Sequence, residues 1–297
     1  MAAPVGERLP IEEFRRLLRR VDRSDTWGLD DELGALRFIG PDQRLAALAT
    51  VRVGEVVSCA AAWHNDRPGR PGSTQLSVRT EQAGAWLAVN EHLSIDLHGR
   101  NSMTHLDALG HFFFDATGYG GAPASVVGPD GTSRHSVASA ADGIVARGVL
   151  LDLMSMPRTT DPSAPVRVEE VLAYLQRERI HIDRGDVLFV RAGPRPREEP
   201  FTAGLHIGCA EWLHDSGIAV VVTDHGLDCD ADQVQDVATP WHVATLTRMG
   251  VRLVDLADLE ALAGTSARHG RRVFLAVLAA LPLHGATSSP INPLALF

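Results

Sequence analysis

From residue 148 onward, short apolar runs alternate with amphipathic stretches of helical period, and this alternation restricts the chain more than any other feature. The runs at 148–153, 186–191, 218–224, 251–255 and 272–283 are dense in Val, Leu and Ile, the pattern of strands buried on both faces. Between them, 168–177, 208–214, 241–249 and 259–263 have helical spacing. Gly217 and Gly250 each stand just past a helix, where a left-handed residue ends it. Strand and helix repeating in this order predict an α/β fold: a single domain with a mixed β-sheet layer flanked by helices. No internal repeat, low-complexity tract or linker separates two cores.

The first 50 residues differ from the rest. Ile11, Phe14, Leu17 and Leu18 recur at helical spacing among Arg and Glu, which predicts an N-terminal helical arm over 1–50 preceding a domain over 51–297. Within that domain, 51–60 and 75–79 read as strands separated by a loop at 65–72 whose Pro and Gly content forbids regular structure. An arm helix, together with a long irregular region after His111, predicts subunit contacts and hence a homo-oligomer, most simply a two-fold homodimer.

Charge and composition remove whole classes of function. The chain carries 28 basic and 37 acidic side chains for a net charge of −9, and every basic residue is Arg. Without Lys there is no Schiff-base amine, no P-loop lysine and no kinase strand lysine. Arginines scattered among an acidic excess predict no nucleic-acid partner. No apolar signal core follows Met1, and no apolar run is long enough to span a bilayer, so the expected location is cytoplasmic with no membrane partner. Cys59, Cys209 and Cys229 are far apart and form no CxxC pair, which predicts reduced thiols rather than a disulfide framework. Nor is there a G-x-S-x-G elbow.

What remains is a dense polar cluster between Asn101 and His111. An extended segment would put Asn101, His105, Asp107 and His111 on one face. Imidazole and carboxylate are ligands that Zn²⁺, Mn²⁺ or Fe²⁺ accepts, and a carboxylate can bind one ion or bridge two. The competing interpretation is an edge strand carrying polar residues to solvent. Against it stand Leu106, Ala108, Leu109 and Phe112, which imply burial, where unpaired imidazoles and carboxylates are costly. Farther along, Asp255 closes an apolar run, where α/β proteins place ligand groups, although a helix N-cap is the alternative role. His225 ends another such run and is a candidate for lining a pocket, as are Trp63, His64 and Phe112.

The run Thr104-His105-Leu106-Asp107-Ala108-Leu109-Gly110-His111-Phe112 resembles the HxGTHxDxPxHF signature of the cyclase family of metal-dependent hydrolases, which includes bacterial kynurenine formamidase and isatin hydrolase. The stretch from Arg184 to Gly193, Gly204-Leu205-His206 with Glu211-Trp212-Leu213, Pro240-Trp241-His242 through Asp255, and Ser289-Pro290 to Pro293 resemble later segments in the same order. The resemblance implies a swivelling β/β/α domain. It also implies His105 and Asp107 as metal ligands, His111 as a second-metal ligand or catalytic histidine, and His242 with a later acid completing the site. The family's first His falls at Asn101 and its later Glu most nearly at Asp255. An amide and a shorter carboxylate favour a harder ion, so Mn²⁺ joins Zn²⁺ as the expected divalent metal.

The function expected is therefore a metal-dependent hydrolase that opens an amide, lactam or ester bond of a small molecule through a metal-activated water, with His111 or His242 moving the proton. C–N bonds other than peptide bonds are the expected target. Two alternatives stand beside it: a metal-dependent cyclase or dehydratase of secondary metabolism, and a non-catalytic relative that binds a metal or small molecule.

Overall fold

The computed structural model describes residues 8–65, 74–99, 102–157, 164–193, 204–225, 227–228 and 233–297. Helices α1 (Ile11–Arg20) and α2 (Pro41–Leu48) come first, then strand β1 (Val56–Ser58) and a hairpin of β2 (Gln75–Ala83) and β3 (Trp86–Ser94). Strand β4 (His105–Asp107) follows, with a small ribbon of β5 (Val127–Gly128) and β6 (Gly131–Thr132). The alternating part is β7 (Ile144–Asp152), α3 (Val168–Glu178), β8 (Val187–Arg191), α4 (Ala210–Asp215), β9 (Val220–Thr223), α5 (Pro240–Ala244), β10 (Arg252–Asp255) and α6 (Glu260–His269). Strands β11 (Val273–Leu278), β12 (Ser288–Pro290) and β13 (Leu294–Leu296) complete it.

Among the described residues, one nine-stranded sheet organises the fold, in the order β1-β13-β11-β7-β8-β9-β10-β4-β12. Its centre, β7-β8-β9-β10, is parallel, and the flanking strands are antiparallel. The fold is α/β with a mixed sheet, as the alternation predicts. Successive residues of the central strands feed opposite faces. Val149, Leu151, Leu188, Val190, Val221 and Leu253 join one apolar cluster, while Leu150, Val187, Phe189, Val220, Val222 and Val254 join the other. Helices cover the first face through Val171, Leu213 and Trp241, and α6 covers the second through Leu262. Two-sided burial is why these strands read as unbroken apolar runs.

Helix α1 contributes Phe14, Leu17 and Leu18 to the first cluster, so its apolar stripe is core. The segment after it is fastened from below. Arg252, fully buried on β10, donates to the carbonyls of Leu33 and Glu32 and to Ser139 Oγ. Tyr119 donates its hydroxyl to Asp31 Oδ2 at 3.0 Å. Gly34 and Gly250, both at positive φ, meet back to back, and a Cβ on Gly34 would lie 2.4 Å from the Gly250 carbonyl oxygen. Only glycine permits this approach.

Several boundaries differ from the sequence expectation for local reasons. The strand expected over 51–60 shrinks to Val56–Ser58, because Gly54 turns at φ +81 and the Val53 and Gly54 N–H groups bond to the terminal Phe297 carbonyl. The run expected over 272–283 ends at Leu278, before Pro282, which has no N–H for a ladder. The helix expected over 241–249 tightens only to Ala244 and then widens into a π turn, Thr245–Met249, where the Thr245 and Thr247 hydroxyls bond back to the Trp241 and Val243 carbonyls. Gly217 and Gly250 are left-handed at φ +70 and +68, as a helix stop requires. Cys59 and Cys209 are buried free thiols, each pushed up to about 12 chiefly by burial, and Cys229 lies outside the described residues. Among the described residues, no helix is long and apolar enough to cross a membrane.

Candidate metal centre

Strand β4 lies between β10 and β12, and its register builds the site. His105 pairs with Asp255 and Asp107 with Leu253 on one side, while Asp107 pairs with Ser288 on the other. Strand alternation sends His105 and Asp107 to one face and Leu106 into the opposite core. The extended face predicted from Asn101 through His111 holds only over this strand. A 3₁₀ turn at Leu109–His111 instead curls His111 back, leaving its Nε2 4.0 Å from Asp107 Oδ2. Asn101 lies outside the described residues.

His98, which the sequence reading passed over, stands at the centre of the group. Its Nε2 is 3.1 Å from Asp107 Oδ1, and its ring stacks on His111 at 4.1 Å between centroids. His105 Nε2 is 3.8 Å from the same Asp107 oxygen. On the other side of the carboxylate, His242 Nε2 is 3.7 Å from Asp107 Oδ2 and 3.3 Å from Asp255 Oδ2. Two ligand triads result, His98-His105-Asp107 and Asp107-His242-Asp255, each with its donor atoms within 4.8 Å of one another. Asp107 belongs to both, one oxygen turned to each, as a carboxylate serving one ion or bridging two requires.

Partners behind the donors set their tautomers. His105 Nδ1 is 2.8 Å from the Met103 carbonyl, which fixes its proton there and leaves Nε2 bare toward the site. His242 Nδ1 is 2.6 Å from Asp228 Oδ2, and Asp228 also accepts the N–H groups of Trp241 and His242. This is the carboxylate–histidine arrangement that orients metal-binding imidazoles. Ser288 Oγ donates to Asp107 Oδ1 at 2.9 Å. Neither Asp228 nor Ser288 has a local sequence signal, since each acts across the fold.

Burial alone would raise Asp107, but the surrounding His242, His98, His111 and His105 outweigh it and hold the carboxyl well below its usual range. Burial pushes His111 down to about 4, against the pull of Asp107, so it is neutral at pH 7. Burial would also lower His242; its bonds to Asp107, Asp228 and Asp255 reverse this and push it up to about 12. Three carboxylates gathered on one imidazole make a site that seeks positive charge. Asp255 Oδ1 is buried with no hydrogen-bond partner among the described residues, a costly state that a bound cation would relieve. The donor set and this orphaned oxygen fit a divalent metal ion.

Other predicted positions fall as follows. Phe112 lies against the site, its ring 5.0 Å from His242 and 5.2 Å from His111. Asp255 ends β10 and caps no helix, since α6 begins at Glu260. His225 follows β9, with its N–H on Thr223 Oγ1, and belongs to neither triad. Trp63 is half-buried and His64 exposed, in the segment between β1 and β2.

The chain belongs to the family described as putative cyclase, whose model matches residues 61–230, more than half of it. Among solved structures it resembles one described as a novel cyclase, at 22% identity and a TM-score of 0.83, over 94% of this chain and 99% of that one. It also resembles isatin hydrolase A from Labrenzia aggregata bound to benzyl benzoate, at 20% identity and a TM-score of 0.54, over 86% and 97%. A third likeness is to a predicted metal-dependent hydrolase from Bacillus stearothermophilus, at 18% identity and a TM-score of 0.51, over 82% and 98%. No curated protein matches the sequence.

Proposed function

We propose that this protein is a metal-dependent hydrolase that opens an amide, lactam or ester bond of a small molecule, with non-peptide C–N bonds its main target. The observation that carries the reading is the gathering of three imidazoles and two carboxylates in two triads around Asp107. Similarity of fold to isatin hydrolase and to a predicted metal-dependent hydrolase supports it. His98, His105, Asp107, His242 and Asp255 would hold the ion, with Asn101 a further ligand candidate, and Zn²⁺ or Mn²⁺ suits this mixed nitrogen and oxygen set. When bound, a divalent ion supplies Lewis acidity, lowering the pKa of water and stabilising negative charge on oxygen.

The chain's own residues supply the rest. Asp107, ionised and shared, fixes the spacing of the two triads. Asp228 and the Met103 carbonyl keep His242 and His105 in the tautomers that present Nε2. His111, neutral near pH 7 and partly exposed beside Asp107, is the group proposed to carry the proton from the attacking water to the leaving nitrogen or oxygen, and its lowered pKa favours the second of these transfers. Phe112 forms one wall of the substrate site, and Trp63, His64 and His225 are proposed to line the remainder. Residues 51–297 are proposed as the hydrolase domain, with α1 packed onto its core rather than standing free as an arm.

The test is turnover of a panel of formamides, lactams and lactones in ¹⁸O-labelled water. Hydrolysis places one solvent oxygen in the carboxylate product; a product formed without solvent oxygen would instead assign a dehydratase or cyclase.

A further inference from the structure

The ladder between β4 and β10 stops at a strained residue. Asp255 pairs with His105 as the last residue of β10, and Leu256, the next along, is left-handed at φ +60. A leucine avoids this region, because its Cβ crowds the following carbonyl oxygen, and a residue held there does not continue a strand. The chain therefore bends immediately after a member of the second triad. Beyond the bend, Ala257 donates its N–H to the Thr223 carbonyl and bridges Ala60, and Asp258 donates its N–H to the Cys59 carbonyl. Strain of this kind persists only where neighbours over-determine it, and it gathers at functional sites.

Thr104 is the neighbour that holds the bend itself. It stands directly before His105 and is buried, and its hydroxyl donates to the Leu256 carbonyl at 2.6 Å and accepts the Ala61 N–H at 2.9 Å. A hydroxyl carries one proton and two lone pairs, so the two bonds do not compete. The main chain of Thr104 is fixed as well, since its carbonyl accepts the Ile291 N–H at 3.0 Å. One oxygen on a rigid support thus pins two passing segments.

Those two segments serve the site from opposite sides. Along one, the β4 ladder fixes the peptides before the bend and Thr104 fixes the carbonyl after it, so the backbone that carries Asp255 has a single course. On that course Asp255 Oδ2 lies 3.3 Å from His242 Nε2, and Oδ1 is buried with no partner among the described residues. Along the other, Ala61 leads into Trp63 and His64.

We propose that Thr104 is a positioning residue for the metal centre and the substrate site together: its hydroxyl holds the left-handed bend that aims the Asp255 carboxylate, and the same oxygen tethers the segment carrying Trp63 and His64. The first half rests on the reading of Asp255 as a ligand. Chelator competition on the full chain with Zn²⁺ and Mn²⁺ should show Thr104→Val binding about 10-fold more weakly and Thr104→Ser within about twofold of wild type. Glycine holds φ +60 without strain, so Leu256→Gly added to Thr104→Val should bring affinity back to within about threefold of wild type. A general loss of packing would not be repaired by removing a second side chain. Acrylamide quenching of Trp63, read by comparing each protein with its Trp63→Phe counterpart, should rise in Thr104→Val and stay raised in the double variant, where the Ala61 tether is still missing. Should valine at 104 prevent folding, Thr104→Cys, of similar size and a weak donor, should bind Mn²⁺ about threefold more weakly. Wild-type affinity in folded Thr104→Val, or in Thr104→Cys where that variant is used, overturns the positioning of Asp255, and failure of Leu256→Gly to restore affinity overturns the bend as its route. Unchanged Trp63 quenching overturns the tether. Wild-type affinity in Asp255→Ala overturns the ligand reading alone and leaves the Trp63 result standing.

Discussion

Asp224 offers a pH dependence whose sign and size follow from its surroundings. It ends the β9 region and accepts the N–H groups of Ala192 and Gly193 at the end of β8, at 2.9 to 3.0 Å. Burial raises its carboxyl to about 7, against the lowering effect of those two N–H groups. Between the ordinary value of 3.8 and about 7, the folded chain holds a proton there that the unfolded chain has released. Stability from this group is therefore complete below pH 4, falls as pH rises through that window, and levels off above it. Three pKa units at 1.36 kcal/mol each set the fall at roughly 4 kcal/mol. Asp224→Asn is neutral at every pH and lacks this dependence, while any change in bonding geometry shifts its stability by a constant. Guanidinium unfolding of both proteins from pH 4 to pH 8.5 should show wild type losing about 4 kcal/mol relative to the variant, most of it before pH 7.5. Parallel pH profiles for the two proteins would refute the reasoning.

Asp228→Asn should weaken metal binding 10- to 100-fold in a chelator competition, because the His242 imidazole loses its charged partner; a loss of stability with unaltered affinity would mean that Asp228 only caps α5. Arg252→Met leaves the Leu33 and Glu32 carbonyls without their donor and should cost about 3 kcal/mol or more in chemical unfolding, and a cost below about 1 kcal/mol would contradict that anchor. Gly34→Ala forces a methyl group to within 2.4 Å of a backbone oxygen at a positive φ, so a loss of more than about 2 kcal/mol is expected in the same assay, and a neutral result would show that the segment can move away.

The parallel core was legible in the sequence because burial on both faces leaves only apolar residues in its strands, and glycine stops such as Gly217 and Gly250 mark the helices between them. His105, Asp107, His242 and Asp255 were legible as chemistry at strand and helix ends, and the structure brings them together. His98 was not, for a physical reason: it follows a hairpin seven residues before His105, and the intervening path, which only the fold sets, decides whether it turns toward Asp107. Asp228 and Ser288 act from 14 and 181 residues away, so no local pattern carries their roles. The hairpin's exposed apolar side chains were equally hidden, because alternation in β2 and β3 does not show whether the described residues cover them.

The central claim is that Asp107 joins two triads that hold a divalent ion. Elemental analysis of purified wild type and of Asp107→Ala, prepared side by side, tests it most directly. The account predicts at least one equivalent of Zn or Mn per wild-type chain and close to none in the variant, with the thermal transition showing that the variant is folded. A folded Asp107→Ala protein that retains the wild-type metal content would contradict it.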